Sequence, residues 1–146
     1  MDEKITEVCL DNNIIVTYLS PDETCVAVNE LVMSILKTKK MIRVPALINY
    51  EFANAIGRKT RNQLLTEIQK NTALDEFFEL PILLMWNQAT MKRTLEFTHR
   101  GFAPLYDAAY LAVAMERGIP LITQDKEFLK KAKKEYPAVF TPEQWA

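Results

Sequence analysis

The 146-residue chain is 49% hydrophobic and 25% charged with a formal net charge of −1, the balance of an ordinary soluble globular protein. Its length suits one domain over residues 1–146, large enough to bury a real core. No apolar run approaches ~18 residues, which excludes a spanning helix, and Met1-Asp2-Glu3-Lys4 lacks a secretory layout, so a cytoplasmic protein is expected.

Ile5 to Leu10 predicts a first strand ending at Asp11, after which Asn12-Asn13 turns the chain. Ile14 to Leu19 fits a short helix and more strand equally. Ser20-Pro21-Asp22-Glu23 has capping-box spacing with Pro at the first helical position. A helix is expected from there to about Lys39, with Cys25, Val28, Val32, Ile35 and Leu36 inward. Met41 to Val44 is a second strand. Pro45 then opens a helix with Leu47, Ile48, Phe52, Ala55 and Ile56 on its apolar face and Glu51 near its start. Asn62 to Asn71 and Asp75 to Phe78 read as further helical pieces, with Leu64, Leu65 and Ile68 inward. Pro81 to Met85 fits a third strand or a helix, and Asn87 to Thr98 a helix.

His99, the only histidine, falls in a Thr-His-Arg-Gly segment that reads as surface loop. Without a Ser or Cys partner for it, a hydrolase triad has no support. Leu105, Ala108, Ala109, Ala112 and Met115 recur at helical spacing with little polar face between them, so a mostly buried helix begins near Pro104 and stops at Gly118. Pro120 to Thr123 is a short apolar strand, a charged helix follows from Lys126, and Ala138-Val139-Phe140 suits a last edge strand. Helices alternate with strands throughout, which predicts an α/β fold with a mostly parallel sheet covered on both faces. Three glycines are too few to write a phosphate-binding glycine loop. Cys9 and Cys25 lie in segments expected to be buried and lack metal-ligand spacing, as core thiols do.

In such a layer a strand's C-terminus and the next helix's N-terminus share one edge, the edge where open α/β folds bind ligands. Asp11 and Asp125 end strands, while Glu51 and Asp107 open helices, so all four carboxylates face one rim. At ~5 Å and an effective dielectric of ~20, each ionised pair repels by about 3 kcal/mol. Such a cluster persists if carboxylates take protons or if a cation sits among them, and all-oxygen ligands suit Mg2+ or Mn2+, which activate water against a nucleic-acid phosphate. Each acid also has a plainer role open to it: Asp11 as a turn cap, Asp125 as a helix N-cap, Asp107 as partner of a helix dipole. Asn13 and Thr123 stand two residues from Asp11 and Asp125, placed to orient bound water or to serve a turn and a strand. Three basic clusters read first as solvated faces: Lys37 to Arg43, Arg58 to Arg61, and Lys126 to Lys134. Beside the rim they would hold phosphates.

Four segments in order resemble the PIN-domain nucleases, above all the VapC-type toxin ribonucleases of toxin–antitoxin pairs. They are Leu10-Asp11-Asn12-Asn13, Val44-Pro45 with Tyr50-Glu51-Phe52-Ala53-Asn54-Ala55, Tyr106 to Ala112, and Pro120 to Asp125 with Phe128. The resemblance implies a three-layer α/β/α sandwich and a Mg2+- or Mn2+-dependent endoribonuclease. Asp11, Glu51, Asp107 and Asp125 would bind the metal, with Asn13 and Thr123 beside it. It further implies a homodimer silenced by a small antitoxin whose tail covers the cleft. Phe102-Ala103-Pro104 replaces the small polar residues common before the third motif. Within the same fold an RNA-processing nuclease without an antitoxin is the rival reading, and outside enzymes a silent binding scaffold.

Overall fold

The computed structural model describes residues 4–145. In chain order the elements are β1 (Glu7–Leu10), α1 (Asn12–Leu19), α2 (Val26–Lys37), β2 (Met41–Pro45), α3 (Ile48–Arg61), α4 (Glu67–Glu79) and β3 (Ile82–Met85). After them come α5 (Gln88–His99), α6 (Leu105–Arg117), β4 (Leu121–Ile122), α7 (Lys126–Glu135), β5 (Val139–Phe140) and α8 (Pro142–Trp145). The five strands form one sheet in the order β3-β2-β1-β4-β5, every neighbour parallel. Right-handed crossovers place α1 to α4 over one face and α5 to α7 over the other. The packing agrees: α1 rests against α2, α3 and α4, while α5 packs on α6 and α6 on β1, β2 and β4. This is the expected three-layer α/β/α sandwich.

The chain steps outward from β1 to β2 and β3, then returns to the other side of β1 for β4 and β5. The sheet therefore changes winding direction between β1 and β4, and there the strand ends leave a crevice. Cys9 N–H donates to the Pro120 carbonyl at 2.8 Å and Asp11 N–H to the Ile122 carbonyl at 3.0 Å, which zips the two strands up to the rim. Helix α6 is the most enclosed helix, with every residue from Ala108 to Ala114 buried. Small alanines allow it to lie close against the central strands. Gly118 ends it at φ 63°, a left-handed geometry that costs glycine nothing.

Several local expectations are overturned. The helix expected at Ser20 begins at Val26 instead, with Cys25 at its cap, and Ser20-Pro21-Asp22-Glu23 forms no capping box. Glu23 has stronger partners, accepting from the Thr17 hydroxyl at 2.9 Å and pairing with Lys59 of α3 at 2.6 Å. With the helix shifted, Leu31 joins Val28, Val32 and Ile35 in the core, while Leu36 is exposed and Cys25 only partly covered. Pro45 ends β2 beside Met85 rather than opening a helix; at the last strand position its missing N–H costs little. The two pieces expected over 62–78 are one helix, α4, started by a reciprocal box between Thr66 and Gln69. That start turns Ala73 and Phe77 inward and leaves Leu64 and Ile68 exposed. His99 is the last residue of α5, not loop, and Leu105 is exposed. The short α8 was not anticipated, although Thr141 and Gln144 bond reciprocally as a capping pair does.

Candidate active site

Asp11 follows β1 directly and is 6% exposed. It occupies the cap position of α1 without the side-chain bond of a helix cap. Its Oδ2 instead accepts from the Thr123 hydroxyl at 2.8 Å and the Asn13 amide at 3.3 Å. Thr123, fully buried at the end of β4, also accepts from Asn13 Nδ2 and from the Asp125 N–H at 3.0 Å. Thr123 and Asn13 thus hold the Asp11 carboxylate across the β1–β4 crevice. Burial pushes Asp11 up to about 7; the Thr123 bond opposes that rise, and the charges of Asp107 and Glu51 add to it.

Glu51 lies in the first turn of α3 and Asp107 in the first turn of α6, each half-buried. Both sit above the usual carboxylate range, first through burial. The Asp107 charge also raises Glu51, and that of Asp125 raises Asp107 while Lys131 of α7 lowers it. Asp125 is exposed and N-caps α7, its Oδ1 accepting from Phe128 N–H at 3.0 Å. That is the plainer role considered from sequence. The four acids are therefore linked in one chain of electrostatic repulsion along the C-terminal rim.

Among the described residues, no three His, Cys, Asp or Glu side chains are gathered closely enough to enclose an ion. The reason is physical: like charges spread, and Asp11, Glu51 and Asp125 each hold a protein donor. The donor chemistry nevertheless fits a hard divalent cation, since only carboxylate oxygens meet here and three of the four acids carry raised pKa values that positive charge would relieve.

Two residues of the site escaped sequence reasoning. Tyr110 donates to Glu51 Oε1 at 2.8 Å. The signal was its place one helical turn after Asp107 in an otherwise small and apolar run. Gln124 donates from its amide to the Asn13 carbonyl at 3.0 Å and the Thr17 hydroxyl at 2.9 Å, and from its backbone N–H to Asn13 Oδ1 at 3.2 Å. It binds the loop after β4 to α1.

The PIN domain family model matches residues 8–134, most of the chain and every element of this rim. The chain belongs to the PIN-domain family. Within it, the chain is similar to Ribonuclease VapC3 of Pyrobaculum aerophilum, 32% identical over 98 residues that make up 66% of this chain and 72% of the relative. Among solved structures it resembles PAE2754 from Pyrobaculum aerophilum, with a TM-score of 0.69 and 21% identity over 96% of this chain and 93% of that one. FitAcB from Neisseria gonorrhoeae gives 0.64 at 20% identity, over 93% and 98% of the two chains. VapBC2 from Rickettsia felis, solved with a DNA fragment from its promoter, gives 0.62 at 14% identity over 92% and 96%. These three likenesses concern the fold.

Proposed function

We propose that residues 1–146 act as one nuclease domain, the endoribonuclease toxin of a VapBC-type pair. The observation that carries this reading is the coupled run of Asp11, Glu51, Asp107 and Asp125 at the point where the sheet changes winding direction. These four would hold Mg2+ or Mn2+. When bound, the ion supplies the positive charge that lowers the cost of deprotonating water and of placing charge on a phosphodiester. The chain's own part is to present the carboxylates. Thr123 and Asn13 orient Asp11, and through it the water. Asp125 is held at the rim by its own cap bond. The lysines of α7, which begins at Asp125, offer RNA phosphates a positive approach to an otherwise acidic edge. Similarity to a protein named Ribonuclease VapC3 supports RNA as the substrate.

The partner in this reading is a small antitoxin whose arginine enters the acidic cleft and satisfies the carboxylates in place of metal. A second copy pairs across β3, an edge strand beside which Leu84, Trp86, Met91 and Leu95 are exposed. Among the described residues no helix is long and apolar enough to cross a membrane, in keeping with work in the cytoplasm.

The test is cleavage by partner-free protein. RNA should be cut with Mg2+ or Mn2+ and spared with chelator. Changing any one of the four acids to its amide should lower the rate by orders of magnitude while leaving the fold intact. Cleavage that survives both chelator and all four substitutions would overturn the assignment.

A further inference from the structure

We propose that Tyr110 is a positioning residue for Glu51, fixing one carboxylate oxygen so that the other is presented to the divalent cation; this rests on the metal reading above. Tyr110 is 1% exposed, on a helix packed against the central strands. Its ring fills the core as a phenylalanine would. The hydroxyl is then a desolvated polar group that needs a partner, and among the described residues it finds one only in Glu51 Oε1, at 2.8 Å. Glu51 belongs to α3 on one side of the sheet and Tyr110 to α6 on the other, so the bond joins the two helical layers over the strand ends. Among the described residues no other hydrogen bond reaches the Glu51 carboxylate, which leaves Oε2 unengaged. Tyr110 also stands one helical turn beyond Asp107, so the helix that offers one acid to the rim fixes the angle of another.

The phenol remains a donor at any working pH, because burial and the neighbouring Glu51 and Asp11 charges raise its pKa. A half-buried glutamate in the first turn of a helix otherwise samples more than one rotamer. Holding one of them in advance removes that freedom before the cation arrives, and loss of such an outer partner commonly costs 10–100-fold in metal affinity.

The experiment titrates Mn2+ into the full chain, free of partner, and reads unbound Mn2+ by electron paramagnetic resonance. It compares the parent, Tyr110→Phe, Glu51→Ala and the double variant, into the millimolar range for the weaker binders. Tyr110→Phe keeps the ring, and thermal melts in chelator verify the fold. The expected result is about 10–100-fold weaker Mn2+ binding in Tyr110→Phe, no further loss when the change is made in Glu51→Ala, and an unaltered KM for RNA. Parent-like Mn2+ affinity in Tyr110→Phe would overturn the proposal. So would an equal loss in both backgrounds, or an unfolded Tyr110→Phe, since either marks the hydroxyl as merely structural. A parent that takes up no Mn2+ would overturn the metal reading itself, and it would do so before any substitution is made.

Discussion

Asp11 sets how this protein responds to pH. Its carboxyl titrates near 7 in the folded chain against 3.8 when unfolded, so between those values the folded state holds the extra proton. Stability from this group is complete below about pH 4 and is lost as pH rises through about 7, by about 4 kcal/mol at most. Glu51 and Asp107 are raised too and act in the same direction. Melts in chelator should therefore give a higher Tm at pH 5 than at pH 8, and Asp11→Asn should flatten the difference. A parent whose Tm climbs over that interval would contradict the buried, uncompensated Asp11. Protons and cation compete for the same oxygens, so Mn2+ uptake should weaken below about pH 7.

At the level of elements, the places of the acids were legible because they depend on the order of strands and helices alone. Asp11 and Asp125 each sit between a strand and a helix, while Glu51 and Asp107 lie in the first turns of α3 and α6. What sequence misjudged was decided by partners distant in the chain. Ser20 and Glu23 have the spacing of a helix start, yet a lysine on α3 and a threonine on α1 take Glu23 first. Tyr110 and Gln124 passed unnoticed because a hydrogen bond across 59 or 107 residues leaves no local pattern. Gln124 also yields a prediction. Its side chain makes two bonds from the loop between β4 and α7 to α1, so Gln124→Ala should lower stability by about 1–2 kcal/mol. Urea unfolding with an unchanged m value is the check, and an unchanged midpoint would show that the two Gln124 amide bonds add nothing to what holds the loop.

For the whole molecule, the outer edge at β3 and the rim at β1 and β4 present contrasting surfaces. The edge is apolar and unpaired, with Trp86 77% exposed and its indole N–H turned to the Met91 sulfur. If a second copy covers it, Trp86→Glu should convert a dimer to a monomer in sedimentation, with secondary structure and Tm in dilute solution nearly unchanged. A dimer that persists would move the subunit contact elsewhere.

The placement of β4 between β1 and β5 also governs when the protein can act during its own synthesis. Asp11 is made well before Thr123, which holds it, and before Asp125. Until the ribosome has released β4, β1 has an open side where the Pro120 and Ile122 carbonyls belong. A nascent chain can thus assemble β1, β2 and β3 and carry Asp11 and Glu51 with no crevice to put them in. The chain order thus acts as a timer: the rim shared by the four acids can form only after β4 and Asp125 have been made.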